Sequence, residues 1–195
     1  MRAFRRAFPL GLGCLLLSLQ SALGQAWTVL DGSRIRFTAL QQGSPIEGKF
    51  GKFTADITFD PDNLGKSLVD VRIDTSSIDT GHKDRDTLLR SAAFFDVGHW
   101  PSARFQSRRL SRVKGDAYQA KGELTIRDVT KPVVLPFTIT IAPDPGTSKR
   151  LLAEAKGELT ISRLDYGIGQ GEWTSTKTVG DKVVIDFELQ ASRQR

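Results

Sequence analysis

The chain has 195 residues, with 28 Lys and Arg against 22 Asp and Glu, and a single cysteine. A net charge of +6 tolerates an anionic partner, but the basic residues form no concentrated stripe of the kind that nucleic acid requires. One cysteine, Cys14, excludes an intrachain disulfide framework and a thiolate metal site.

The first 24 residues read as a targeting segment. Arg2, Arg5 and Arg6 precede an apolar run from Leu10 to Leu17, and Ala22 and Gly24 supply small residues before Gln25. That order is a secretory signal peptide, cut after Gly24 or Ala26. The apolar run is too short for a membrane span of about 20 residues. Cys14 raises a lipoprotein alternative, but Gly11 and Leu12 fit the lipidation pattern poorly, and "LLLSLQ" would make an apolar mature start. Removal of this segment takes three Arg and no acid, leaving +3. The expected destination is the periplasm or the medium, and the remainder forms one domain, 27–191.

Alternation of period two then recurs. Asp31-Gly32 is a turn. In "FTADITFDP", Phe53, Ala55, Ile57 and Phe59 face one way. "DPDNLG" at 60–65 is a turn, and "LVDVRID" groups Val69, Val71 and Ile73. Residues 84–95 predict the one helix, capped by Asp84 or Asp86, with Leu88, Leu89, Ala92 and Phe95 on an apolar side and Pro101 beyond. Asp86 and Arg90 stand at a favourable i,i+4 spacing. "KGELTI" occurs at 121–126 and again at 156–161 without wider likeness, so it marks two strands in similar settings. Gly122 and Gly157 are expected to mark bends there. "VVLPFTITI" groups Val133, Leu135, Phe137, Ile139 and Ile141; Pro132 and Pro136 predict an edge, a bulge or a strand entry. After turns at 143–149 and 179–181, Val183, Ile185, Phe187, Leu189 and Ala191 share a final face. About eight strands with hairpin spacing predict an all-β barrel or sandwich.

Chemical motifs mostly fail. "LGKS" at 64–67 lacks the first Gly of a phosphate loop, since position 60 is Asp. "GIGQGE" ends on Glu172 where a dinucleotide fingerprint needs Gly. "DPDNLG" has no bidentate Glu for calcium, because Val71 stands there. His82 and His99, with Asp84 and Asp86 close by, leave open a metal-assisted hydrolase. A non-catalytic interaction domain with a filled core is the other alternative. The Phe residues on apolar faces fit a packed core or a ligand cavity equally well.

Four blocks carry a family resemblance: "GKFGKFTADITFDPDNLGKSLVDVRID" (48–74), "SIDTGHKDRDTLLRSAAFFDVGHWPSARFQS" (77–107), "GELTIRDVTKPVVLPF" (122–137) and "ISRLDYGIG" (161–169). Together they resemble the YceI-like lipid-binding proteins across 27–191. The resemblance implies an extended, lipocalin-like antiparallel β-barrel with a short helix near its mouth. It implies a binding protein rather than an enzyme, with no catalytic residue, resident metal or cofactor. The ligand would be a long-chain amphiphile: an isoprenyl phosphate, an isoprenoid quinone or a fatty-chain molecule. "HLR" often stands in the family where this chain has Leu88-Leu89-Arg90, which removes one polar group near the helix. The expected tail contacts are Phe53, Phe94, Phe95, Phe105, Leu124, Ile126, Phe137, Ile161 and Phe187. His82, Lys83, Arg85 and Arg90 are the expected head-group residues. Arg163 and Asp165 are expected to form a structural ion pair or turn. A transient membrane contact and a homodimer are the further partnerships considered.

Overall fold

A computed structural model describes residues 26–195; the expected targeting segment, residues 1–24, and with it Cys14, lie outside the described residues. Eleven strands form one antiparallel sheet: β1 (Ala26–Val29), β2 (Arg34–Gln41), β3 (Ser44–Phe50), β4 (Phe53–Thr58), β5 (Leu68–Asp74), β6 (Ile78–Asp79), β7 (Ser102–Lys114), β8 (Ala117–Ile126), β9 (Val129–Asp144), β10 (Thr147–Ser162) and β11 (Val179–Gln194). The order β1-β4-β5-β7-β8-β9-β10-β11 closes through β1–β11 into an eight-stranded barrel. The other three strands extend barrel staves. β2 continues β1 along β11 after a turn at Gly32, where φ is +93°. β3 pairs with β2 and β6 with β3, prolonging β4 and β5 in the same way. Closure removes the free sheet edges that invite aggregation along the body of the barrel, up to the helix end.

All four connections that include the β2–β3 turn, the β6–β7 segment, the β8–β9 turn and the β10–β11 loop lie at one end. The helix α1 (Lys83–Arg90) sits in the β6–β7 segment. Between Val129 and Pro136, β9 pairs only with β8, while β10 beyond Gly157 pairs only with β11. This is the locally open edge that Pro132 and Pro136 predict, and it splays the barrel toward the helix.

Glycines permit the tight wall. A Cβ on Gly157 would come within 2.6 Å of both the Phe187 ring and the Pro136 carbonyl oxygen. A Cβ on Gly122 would lie 2.4 Å from the Gln106 carbonyl oxygen, beside the bulge at Ser107–Arg109. Both therefore serve close approach, next to a bulge or a divergence of strands.

The helix is shorter than the sequence predicts. It ends at Arg90, because Ser91 turns extended and the chain folds back: Phe95 N–H donates to the Leu89 carbonyl, and Asp96 adopts a φ of +48°. Ala92 is consequently exposed, and Ala93 packs inward instead. Nor is the start capped by an aspartate. His82 is the N-cap residue and makes no side-chain cap bond. Asp86 instead reaches back to accept from the Thr80 N–H and hydroxyl, at 2.9 and 2.6 Å. It is therefore not paired with Arg90, which donates to the Ser76 and Ile78 carbonyls.

Candidate functional site

The pleat sends alternate residues inward, and the register aligns them around the wall. Val183, Ile185, Phe187 and Leu189 of β11 lie opposite Ile161, Leu159, Gly157 and Ala155 of β10. These inward β11 side chains are only half-buried, because they face a hollow lumen. Four cavities follow one another along it. The deepest, ≈ 590 Å³ counting space open to solvent, is lined by Trp27, Phe59, Phe105, Phe137, Ala155 and Phe187 among others. The next, ≈ 660 Å³ on the same measure, shares Val69, Phe105, Leu135, Phe187 and Leu189 with it. A third, ≈ 760 Å³ beneath the helix, shares Ile73, Leu124 and Ile185 with the second. The last, ≈ 460 Å³, shares Phe37, Ala39, Leu89, Phe94 and Val179 with the third and reaches the polar rim at Gln41, Thr80 and Arg85. Shared walls make these one elongated tube.

An aromatic cluster closes the far end. Trp27 donates its indole N–H to the Phe59 carbonyl at 3.0 Å. The Phe59 ring meets Tyr118 edge-on at 5.3 Å, and Tyr118 stacks on Phe137 at 5.7 Å. Guanidinium groups cover this plug: Arg193 lies 4.8 Å over Trp27, and Arg112 lies 5.1 Å over Tyr118 and donates to its hydroxyl. Aromatic pairing and cation–π contact both favour a fixed arrangement of these rings.

The mouth is built from three clamps. Arg90 holds α1 to β6 through the carbonyls already named. Arg127, itself at a φ of +55°, donates to the Phe94 and Gly167 carbonyls at 2.8 Å and lies 4.6 Å over Trp100. It thereby pins the chain after the helix to the β8–β9 turn and to the β10–β11 loop. Arg163, 2% exposed, donates to the carbonyls of Gly180, Ile168, Trp173 and Val179 at 2.7–2.9 Å. Burial lowers its pKa from the ordinary arginine value, and the neighbouring Asp181 opposes that shift. Asp181 itself is held low by the Ser162 hydroxyl at 2.7 Å and the Leu164 N–H at 3.2 Å, against the effect of burial.

This geometry agrees with comparisons to known proteins. A family model described as the YceI-like domain matches residues 27–191. The chain belongs to the YceI family. A Yersinia pestis UPF0312 protein is 35% identical over 164 residues, covering 82% of this chain and 84% of the relative. A Vibrio cholerae UPF0312 protein is 33% identical over 147 residues, or 75% of this chain and 72% of the relative. Among solved structures, Burkholderia cenocepacia BcnA superposes with a TM-score of 0.73 at 31% identity, covering 81% of this chain and 95% of that one. A polyisoprenoid binding domain from Saccharophagus degradans shares the fold, with a TM-score of 0.67 at 16% identity over 88% of this chain and 99% of its own length.

In this YceI-family barrel, most of the expected tail contacts meet in the lumen. Phe105 lines the deep and middle cavities, as does Phe187, and Phe137 lines the deep one. Leu124, Ile126, Ile161, Phe94 and Phe95 line the cavity under the helix. Phe53 pairs with Ile73 and shares its inward face, but it lines none of these four cavities. The expected head-group residues separate. Arg85 lines the mouth and donates to the Thr80 hydroxyl at 2.8 Å. Arg90 is spent on carbonyls, and His82 and Lys83 are exposed and line none of the four cavities. Of the ion pair or turn expected at Arg163 and Asp165, the turn forms, with the Tyr166 N–H donating to the Arg163 carbonyl at 3.1 Å, and the pair does not: Asp165 meets Lys131 at 3.2 Å, because Arg163 turns into the loop core. His99 meets Asp96 at 3.0 Å. Among the described residues, no three His, Asp, Glu or Cys side chains gather as a metal site would require.

The expected tail contacts left out Trp27, Phe37 and Phe50, which line the tube, and Arg163, which was expected in a structural role, also lines it. The pattern Ile35-Phe37-Ala39 carried the signal for Phe37. Trp27 adjoins the expected cleavage point, where a residue reads as terminal.

Proposed function

We propose that this protein holds one long-chain amphiphilic lipid, an isoprenoid such as an isoprenyl phosphate or isoprenoid quinone, with its tail in the tube. One observation carries the reading. The tube runs from Arg85 to Trp27, and below the rim its wall presents apolar surface throughout, Arg163 included, whose nitrogens are turned away into the loop. Each buried CH₂ contributes roughly 0.8 kcal/mol, so such a wall supplies affinity without precise polar chemistry. The Saccharophagus degradans domain, named for polyisoprenoid binding, supports the view that this fold can accept such a chain. The role is carriage or storage in the periplasm after export by the N-terminal segment, not catalysis. Exposed Leu40 and Leu164, at 46% and 36%, suit a transient contact of the mouth end with a membrane surface during exchange. Arg85 greets the head group at the rim.

The test is native mass spectrometry of the protein purified from its own periplasm, followed by lipid extraction. A stoichiometric isoprenoid adduct is expected. A protein that carries no lipid and takes up no added isoprenoid would overturn the proposal.

A further inference from the structure

A seam of the barrel wall is left without a ladder. The β9–β10 pairing stops at Phe137 and Gly157. From there toward the helix end, Val129–Pro136 pair with β8 and Glu158–Ser162 pair with β11, and no pairing joins the two segments to each other. Two prolines keep it so. The Pro136 carbonyl oxygen points at Gly157, where a Cβ would lie 2.6 Å from it. A strand residue turns its N–H and C=O to the same side. The amide side of Pro136, and of Pro132 four residues away, therefore faces the seam, and neither has an N–H to give β10. The seam opens onto the tube: Leu135 on one lip and Leu159 on the other both line the middle cavity.

The cover is slight. The short 3-10 turn Leu164–Tyr166 lies against both β9 and β10. The seam is pinned at its lower end by the Phe137–Gly157 pair and at the mouth by Arg127, which donates to the Gly167 carbonyl at 2.8 Å. Between those pins, Lys131 and Asp165 form an exposed ion pair across it at 3.2 Å. The mouth itself is fastened more firmly, since Arg90, Arg127 and Arg163 each donate to two or more carbonyls. Parting the lips between the pins breaks an exposed ion pair, a weak contact, and no ladder bond.

We propose that this seam is a side port through which the prenyl tail enters and leaves the tube, latched by Lys131 and Asp165. The proposal rests on the lipid-binding reading above. A long chain need not thread end-on past the clamped mouth; it passes broadside between Leu135 and Leu159 while Arg127 holds the rim. Exposed Val134 on β9 and Leu164 on the covering turn give the tail apolar footing outside.

The experiment follows an isoprenoid quinone by quenching of Trp fluorescence, measuring its equilibrium affinity, its uptake rate and its release rate to phosphatidylcholine vesicles. In a Cys14→Ser background, Lys131→Cys and Asp165→Cys are joined by a short bis-maleimide. The cross-link should slow uptake and release by roughly tenfold or more, as closing a lid does. Asp165→Asn should speed both by about two- to fivefold, the worth of an exposed ion pair, and leave the affinity unchanged. Salt should speed exchange in the wild type but not in Asp165→Asn. Wild-type exchange rates in the cross-linked protein would send the tail through the mouth and overturn the port while leaving lipid binding intact. Altered affinity with unchanged rates in Asp165→Asn would assign the pair a structural role and also overturn it. If the double-cysteine variant fails to fold, Asp165→Asn and Lys131→Met decide by the same rates. If the wild type binds no quinone at equilibrium, the lipid-binding reading fails and the port falls with it.

Discussion

Ala155→Leu tests the hollow lumen directly. Ala155 lies inward on β10 between Leu189 and Ile139, on the wall of the deepest cavity. The substitution adds three carbons. In a packed core they would force side chains off their rotamers at a cost of about 1–3 kcal/mol. In an empty tube they occupy free space, so stability should fall by less than about 1 kcal/mol or rise. A lipid tail that reaches this level must give up the same volume. Three carbons at roughly 0.8 kcal/mol amount to about 2.4 kcal/mol, or about fiftyfold in affinity. A short prenyl chain that ends beneath the helix should bind unchanged. Urea unfolding gives the stability, and fluorescence titration with a long and a short isoprenoid gives the selectivity. Equal loss for both chains, or destabilisation of the packed-core size, would refute the reasoning.

Phe59→Ala removes a ring that is 2% exposed at the centre of the plug. It should cost about 3–5 kcal/mol in urea unfolding and shift the preferred ligand toward longer chains in a chain-length series. Arg127→Met removes the pin on the segment after the helix. Hydrogen exchange at the amides of Phe94, Phe95 and Val97 should speed at least about tenfold, while the β11 amides stay protected; unchanged exchange would remove Arg127 as a clamp. Asp181→Asn removes a carboxylate whose pKa the fold depresses. Such a group contributes stability above its unfolded value of about 3.9 and loses it as pH falls through the folded value. The stability gap between wild type and variant should therefore be full at neutral pH and shrink between about pH 5 and 2. A gap that widens in acid would contradict the assignment.

The barrel was legible because period-two alternation depends only on neighbours in sequence. Val183 to Ala191 read correctly as one inward face, and the tail contacts chosen on such faces, Phe53 excepted, line the lumen. The helix end was not legible. Residues 91–95 have helical composition, yet Phe94 and Phe95 gain more by turning into the tube, where Phe94 packs on Trp173 at 5.6 Å and Phe95 meets Phe50 at 5.9 Å. That tertiary contact overrides local propensity. The charges around the helix misled for a related reason. Residue type cannot show that Arg90 and Arg85 already have acceptors, since those acceptors come from β6 and the turns on either side of it.

Arg163 shows where sequence reasoning ends. Its acceptors at Ile168 and Trp173 lie in a loop with no periodic pattern, and those at Val179 and Gly180 open β11, so only the closed loop reveals a caged cation. Elsewhere the pleat keeps charge outside. Asp186 sits between inward Ile185 and Phe187 and pairs outward with Arg36, and Asp70 pairs with Arg104 between inward Val69 and Val71. A charge buried behind the wall is therefore an exception, and a costly one: the desolvated Arg163 guanidinium must recover its solvation from fixed acceptors. A loop could be held by neutral donors at lower cost. The tail gains affinity from area alone and distinguishes chains only by length. Discrimination among head groups then needs polar groups where the apolar wall begins, which is the rim of Gln41, Thr80 and Arg85.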